Sequence, residues 1–239
     1  MKLALIGYGK MGKEIEKIAL SRGHEVVLKI DISNPEDLTV ENLQKADVAI
    51  EFTIPDSAIA NYQKCFEAGI PVVSGTTGWL EKQAEVHQLC LEKNGTFFHT
   101  TNFSVGVNIF FALNKKLAQL MAPYQEEYKV EVKEVHHIHK LDAPSGTAIT
   151  LAEGIMENIP SKKSWVNKAT DNPAELGIIS ERIGEVPGIH TITYDSGIDY
   201  IEITHSARNR QGLALGAVLA AEYSAGKKGI LSMNDMLNI

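Results

Sequence analysis

Apolar residues in the first hundred positions fall in short runs, separated by turn residues and by segments with helical spacing. Leu3-Ala-Leu-Ile6, Val26-Val-Leu-Lys-Ile30, Asp47-Val-Ala-Ile-Glu-Phe52, Val72-Val-Ser74 and Thr96-Phe-Phe-His99 read as strands. Runs this short, bounded by Gly, Pro and Ser, suit strands buried on both faces. Helices are expected from the glycine loop to about Leu20, from Pro55 to a stop at Gly69, and from beyond Trp79 to about Lys93. Alternation of this kind predicts a parallel sheet wrapped by helices on both faces.

The pattern changes after Asn102. A helix over about Val107 to Met121 leads into Tyr128 to Ile138, which alternates apolar and polar residues like a half-exposed strand. In that register His136 shares a face with Val130 and Val132, while His137 and His139 take the other. Ile149 to Met156 reads as an amphipathic helix, with Ser145, Gly146 and Thr147 on its first turn. Thr191 to Thr204 reads as two strands joined by a glycine-containing turn, and Leu213 to Ser224 as a helix rich in Ala and Leu. Ser161 to Pro173, polar around Trp165, reads as a loop. The fold class expected is α/β: an N-terminal Rossmann-type parallel sheet over 1–103, then an α+β sheet domain over 104–211. The C-terminal segment, about 212–239, is expected to pack back on the first domain.

Composition narrows the function classes. The 239 residues are 44% hydrophobic and 22% charged, ordinary for a globular protein. A net charge of −7 disfavours nucleic acid, which needs a basic face. No apolar run approaches a membrane span. Cys65 and Cys90, each within a helical segment, read as buried thiols of a reducing compartment. No export signal is visible, so the cytoplasm is the expected location.

Two stretches carry chemistry. Gly7-Tyr-Gly9-Lys-Met-Gly12 follows a strand and opens a helix, and Asp31 ends the next strand. The glycines allow a tight turn and close backbone approach to a pyrophosphate, the helix N-terminus offers N–H groups to it, and the acid is placed for ribose hydroxyls. Ile32 and Ser33 follow Asp31 where a cation would welcome a 2′-phosphate. NADH is therefore favoured over NADPH, with Lys10 as the counter-argument. The second stretch, Glu134 to Ala148, packs three histidines, Lys140, two carboxylates and a Ser-Gly-Thr turn into fifteen residues. Imidazoles move protons near neutral pH, and unpaired N–H groups at a helix start bind carboxylates. Asp142 is expected to brace the turn before the helix. His190, Arg208 and Arg210 are second-rank candidates. Metal is not expected: His137 and His139 could be joined by His99, His190 or His205, but no ligand spacing is recognisable. Asn102 and Ser104, where the chain leaves the first domain, are read as a hinge.

Taken together the chain resembles the dihydrodipicolinate reductase family. The likeness rests on Gly9-Lys-Met-Gly12, Phe52-Thr-Ile-Pro55, Gly75-Thr-Thr-Gly78, Asn102-Phe-Ser-Val-Gly-Val-Asn108 and above all His136-His-Ile-His-Lys-Leu-Asp-Ala-Pro-Ser-Gly-Thr-Ala148. The resemblance implies reduction of 4-hydroxy-tetrahydrodipicolinate, a cyclic dicarboxylate, with NADH or NADPH in lysine and diaminopimelate synthesis. It implies His136 and Lys140 as proton-transfer groups, and His137, Ser145, Gly146 and Thr147 as substrate contacts. Cofactor contacts fall on Gly7, Tyr8, Gly9, Lys10, Met11, Gly12, Asp31, Phe52, Thr53, Gly75, Thr76, Thr77, Thr100, Thr101, Asn102 and Phe103. It also implies a homotetramer formed through the second domain. The chain departs from the family at Ile32, where NADPH users often carry arginine, and in a shorter glycine loop. Two alternatives stay open: another two-domain NAD-dependent dehydrogenase of an amino acid or semialdehyde, and a nucleotide-sensing protein without chemistry.

Overall fold

The computed structural model describes residues 1–209 and 211–239. The chain forms two compact units, Met1–Val105 with Gln211–Ile239, and Gly106–Arg210.

The first unit runs β1 (Lys2–Ile6), α1 (Lys10–Ser21), β2 (Glu25–Ile30), α2 (Val40–Leu43), β3 (Val48–Glu51), α3 (Pro55–Ala68), β4 (Val72–Ser74), α4 (Gln83–Glu92) and β5 (Thr96–His99). Its C-terminal part adds α7 (Gln211–Ser224), β11 (Gly229–Leu231) and α8 (Met233–Leu237). Six strands lie in the order β11-β5-β4-β3-β1-β2, every neighbouring pair parallel. Strand alternation feeds two apolar layers. Ala4 and Ile6 of β1 face Tyr62 and Cys65 of α3, while Leu3 and Leu5 join Ile15 and Ala19 of α1 and the alanines of α7. A sheet covered on both faces explains why these strands read as unbroken apolar runs. Strand order reverses around β1, which leaves a crevice beyond the carboxyl ends of β1 and β3, the usual ligand position in such sheets. Neither β11 nor α8 was expected from the sequence.

The second unit contains α5 (Val105–Met121, starting at the boundary), β6 (Lys129–His136), α6 (Gly146–Met156), β7 (Ser164–Val166), β8 (Glu175–Arg182), β9 (Ile189–Asp195) and β10 (Tyr200–Ser206). The sheet order is β10-β9-β6-β8-β7, antiparallel on the β9 side and parallel on the β8 side. Phe110 and Ala118 of α5, with Leu151 and Ile155 of α6, cover Val130, Val132, Ile178 and Ile192. Two expectations are corrected here, and one strand is added. The segment 161–173 carries strand β7, with Trp165 paired to Leu176. Strand β8 fills a region in which no strand was expected. And β6 ends at His136, so His137 and His139 lie in a turn closed by Lys140 N–H donating to the His137 carbonyl. Among the described residues, no helix is long and apolar enough to cross a membrane.

Candidate active site

In the first unit the expected cofactor residues gather at the carboxyl ends of adjacent parallel strands. Gly7 to Gly12 follow β1, Asp31 follows β2, Phe52 and Thr53 follow β3, Gly75 to Thr77 follow β4, and Thr100 to Phe103 follow β5. The three loop glycines do different work. A Cβ on Gly7, whose φ is +95°, would sit 1.9 Å from the Phe52 carbonyl oxygen, and one on Gly12 would lie 2.3 Å from the Gly7 oxygen. Gly9 meets nothing within 4 Å and stands as the N-cap of α1 without a side-chain cap. Its exposed backbone and the uncapped first turn, which holds no acid, fit an approaching pyrophosphate. Asp31 accepts from Ile32 N–H at 2.7 Å, and its own N–H donates to Asn34.

Several side chains of this set face inward. Tyr8 donates its hydroxyl to Glu16, with Lys29 5.0 Å over its ring. Met11 packs on the apolar layer, and Phe103 is buried between Phe52 and Phe98. The Thr76 hydroxyl donates to Glu51 at 3.0 Å and accepts from Thr53 N–H at 2.8 Å. Glu51, fully buried at the end of β3, also receives Ser74 at 2.7 Å and Thr53. Burial raises its carboxyl above the usual range against these hydrogen bonds. These groups build the platform, so what they can offer a nucleotide is backbone and ring surface. Lys10, Thr77 and Thr101 remain exposed.

In the second unit the site forms at the end of β6. Val130, Val132, Glu134 and His136 share the buried face of that strand. The Glu134 carboxylate accepts from Ser180 Oγ at 2.7 Å and from the Ser145 backbone N–H at 3.1 Å. It lies 3.4 Å from Arg182 Nη2, 3.4 Å from His136 Nδ1 and 3.6 Å from His190 Nε2. Burial alone would raise its pKa; hydrogen bonds from His190, Ser145 and Ser180 overcome that and hold it well below the ordinary range. His136 moves the other way from most partnered histidines. Burial, opposed by Glu134 and reinforced by His190, Lys140 and Arg182, pulls it down to about 4. Its Nδ1 is buried without a hydrogen bond, because the 3.4 Å approach to Glu134 is poorly aligned.

The turn beyond β6 places the remaining candidates. Lys140 Nζ is gripped by both oxygens of Asp142, at 2.7 and 2.8 Å. Asp142 therefore pairs with the lysine, and Ser145 caps α6 by accepting from Ala148 N–H. Ser145 is buried and fully engaged, since its Oγ also meets His190 Nε2 at 3.2 Å. Gly146 and Thr147 then present first-turn amides that have no intrahelical acceptor. A Cβ on Gly146 would meet nothing within 4 Å. His137 is half-buried with an unpartnered Nδ1, and His139 pairs with Glu185 at the surface. His205 packs against Phe110. Arg208 is exposed, and Arg210 lies outside the described residues.

The structure thus brings together Glu134, His136 and His190, three potential ligand atoms within 4.8 Å of one another. The expected histidine grouping around His137 and His139 did not include this trio. Glu134 already receives Ser145, Ser180 and Arg182. A cation would have to displace donors and face a guanidinium, so this donor set suits a hydrogen-bonded acid–imidazole group. Sequence reading gave no role to Glu134, Ser180 or Arg182. The available signal was phase: counting by twos from Val130 and Val132 lands on Glu134.

Comparison with known proteins fits both halves. The family profile "Dihydrodipicolinate reductase, N-terminus" matches residues 1–103, and "Dihydrodipicolinate reductase, C-terminus" matches residues 106–237. The 4-hydroxy-tetrahydrodipicolinate reductase of Christiangramia forsetii is 48% identical over 240 residues, covering 100% of this chain and 98% of its own. That of Ralstonia pickettii is 39% identical, covering 82% of this chain and 76% of its own. A dipicolinate-bound dihydrodipicolinate reductase from Paenisporosarcina sp. shares the fold, with a TM-score of 0.78 over 98% of both chains at 24% identity. An amine dehydrogenase from Mycobacterium smegmatis does so more distantly, with a TM-score of 0.62 over 98% of this chain and 95% of its own, at 11% identity. Two profiles that together span nearly every residue, and full-length identity near one half, leave one assignment: the chain belongs to the dihydrodipicolinate reductase family.

Proposed function

We propose that this protein reduces 4-hydroxy-tetrahydrodipicolinate to tetrahydrodipicolinate with a reduced nicotinamide dinucleotide, in the synthesis of diaminopimelate and lysine. The observation that carries this reading is the end of β6. There a buried imidazole ends the strand, a lysine closes the turn that follows, and α6 begins six residues further on, in a chain whose full-length relative carries that name. The substrate brings two carboxylates, and the site offers them a cation and two backbone amides.

The steps assigned to the chain are binding and proton handling. Gly146 and Thr147 N–H groups hold one carboxylate. Lys140 exchanges Asp142 for a substrate carboxylate, and His137 adds a further contact. His136 is neutral at pH 7 in the free protein, because burial pulls it down to about 4. A dianion placed beside it favours the imidazolium, so substrate arrival loads the proton that the reaction needs. After water leaves the hydroxylated ring, His136 delivers this proton as the conjugated ring is reduced. The bound dinucleotide supplies the hydride. Gly7 to Gly12 and Asp31 hold it, with the backbone of Phe52–Thr53, Gly75–Thr77 and Thr100–Phe103. NADH is preferred, since Asp31 with Ile32 beside it repels a 2′-phosphate. We further propose that 1–103 with the C-terminal segment is the dinucleotide-binding part, and that 104–211 binds substrate. The same part would join copies into a homotetramer, for which the exposed Ile198 and Tyr200 around β10 offer apolar surface. Cytoplasmic placement agrees with two free, buried thiols.

The test follows NADH and NADPH absorbance separately while the substrate is generated from pyruvate and aspartate semialdehyde. Faster oxidation of NADH is expected. No oxidation of either sinks the reading.

A further inference from the structure

The proposed reaction assigns no task to Glu134, yet Glu134 contacts His136, the residue that caps α6 and the arginine that holds the Lys140 backbone. From the end of β6 it faces His136 on its own strand, Ser180 and Arg182 on β8, His190 on β9 and the Ser145 amide at the start of α6. Arg182 carries the same carboxylate's influence onward. Its Nη2 donates to the Asp142 carbonyl at 2.5 Å and its Nε to the Lys140 carbonyl at 3.3 Å, while Nη1 holds the Glu181 carbonyl at 2.8 Å. The backbone that presents Lys140 is therefore pinned by a guanidinium that itself leans on Glu134. On the far side of the imidazole stands Gly188. A Cβ there would lie 3.1 Å from His136 Nε2 and 3.3 Å from Cδ2, so the ring is confined between a carboxylate and a glycine backbone.

We infer that Glu134 is a positioning residue that sets the His136 ring, the Lys140 turn and the α6 N-terminus in one fixed arrangement for a dicarboxylate. This rests on the reductase reading for its catalytic consequence, though not for its geometry. A buried carboxylate suits the task because it is an acceptor only. All five neighbours come as donors or as imidazoles that can donate. It also supplies a negative charge beside His136, opposing the influence of His190, Lys140 and Arg182. Glutamine in its place turns one accepting edge into a donating one. The amide would then face Ser145 N–H or Ser180 and Arg182, donor against donor, inside a dry site. Aspartate keeps the charge and shortens the reach.

The test compares full-length wild type with Glu134→Gln and Glu134→Asp in three measurements. These are dipicolinate binding by calorimetry, NADH binding by fluorescence, and the His136 titration followed by imidazole NMR. With Gln, dipicolinate affinity should fall roughly 10- to 100-fold. NADH affinity should stay within about twofold, since the charge of a separate unit is untouched. The His136 midpoint should move further down. With Asp, the midpoint should return toward wild type while dipicolinate affinity recovers only in part. Where activity is measurable, kcat should fall with Gln and the NADH KM should not. Should Glu134→Gln fail to fold, Ser180→Ala and Arg182→Met apply the same binding and titration readouts. A folded Gln variant with wild-type dipicolinate affinity and an unmoved His136 midpoint overturns the inference. If the wild type binds dipicolinate but oxidises no NADH with the substrate, the reductase reading fails. Affinity and titration then still decide the role of Glu134.

Discussion

Gly7 and Gly9 stand two residues apart in one loop, and the structure gives them opposite sensitivities to the same methyl group. At Gly7 an alanine must adopt a φ of +95° and bring its Cβ to 1.9 Å from the Phe52 carbonyl oxygen, where ordinary contact begins near 3.4 Å. Phe52 cannot yield freely, because its N–H donates to the Ile6 carbonyl at 2.8 Å. The left-handed backbone costs about 1–2 kcal/mol, and forced overpacking adds about 1–3 kcal/mol. Taking about 3 kcal/mol in all, at roughly 2–4 °C for each kcal/mol, Gly7→Ala should melt about 6 to 12 °C below wild type. At Gly9 the Cβ meets nothing, and a φ of −80° is open to alanine. Gly9→Ala should keep the wild-type melting temperature or raise it slightly, since alanine removes about 0.4–1 kcal/mol of unfolded-chain entropy. Its methyl group, however, stands where a pyrophosphate must approach the α1 amides. NADH affinity should drop at least about tenfold, equivalent to ~1.4 kcal/mol. Differential scanning fluorimetry and NADH fluorescence titration read both effects. A Gly9→Ala protein that binds NADH like wild type would refute the backbone-approach argument. A Gly7→Ala protein with unchanged melting would refute the steric one.

Other expectations follow from the second unit and from the residue after Asp31. His136→Gln should lower turnover by roughly 10²- to 10⁴-fold, the range for a lost acid–base group, in the coupled NADH assay; unchanged turnover removes His136 from the chemistry. Acid should weaken this unit early: with His136 near about 4 when folded and near 6.5 when unfolded, the unfolded chain binds more protons across that window. Stability then falls as pH drops from 6.5 toward 4, on the order of 1 to 2 kcal/mol by pH 5, and urea melts of His136→Gln should lose most of that slope. Glu134, held below its usual range, adds a further loss below about pH 4.5. Lys140→Met should raise the substrate KM roughly 10- to 100-fold, the loss of one charge-assisted hydrogen bond, and leave the NADH KM alone. Ile32→Arg should raise NADPH kcat/KM relative to NADH at least about fivefold; an unmoved ratio would show that residue 32 is out of reach of the 2′-phosphate.

The first unit was legible because its signals are local. Five short apolar runs, each followed by Gly, Pro or Asp or by a polar turn, marked strands whose ladders begin and end within one or two residues of the expected bounds. What escaped depends on distant partners. Strand β8 is buried along Leu176, Gly177 and Ile178 between β6 and β7, so the two-residue period that marks a half-exposed strand is missing. Strands β7 and β11 have three residues each and exist only through pairing with β8 and β5. The end of β6 was misplaced for the same reason. Alternation continues through His137 and Ile138, but strand pairing stops at His136; Ile183 N–H donates to the His136 carbonyl and Ile138 N–H to the Gly184 carbonyl as the chain turns.

The two buried glutamates show which part of a site sequence can disclose. Glu51 is the last residue of β3 and Glu134 stands two residues before the end of β6; both take core-facing positions and both are fully buried. Phase alone marks them as odd, since a carboxylate on an apolar face must be met by donors. Phase does not reveal the donors. Glu51 is met by hydroxyls and an amide, with no cation among the described residues, from positions up to 25 away. Its carboxyl is pushed up by burial. Glu134 is met by a guanidinium from β8, imidazoles from β9 and from its own strand, and the backbone amide of the residue that caps α6, and is held ionised. The first arrangement locks together the loops that follow β3 and β4. The second keeps a charge beside the buried His136 imidazole. The same residue type in the same strand phase therefore acquires a structural or an electrostatic task according to contacts that only the folded sheet brings together.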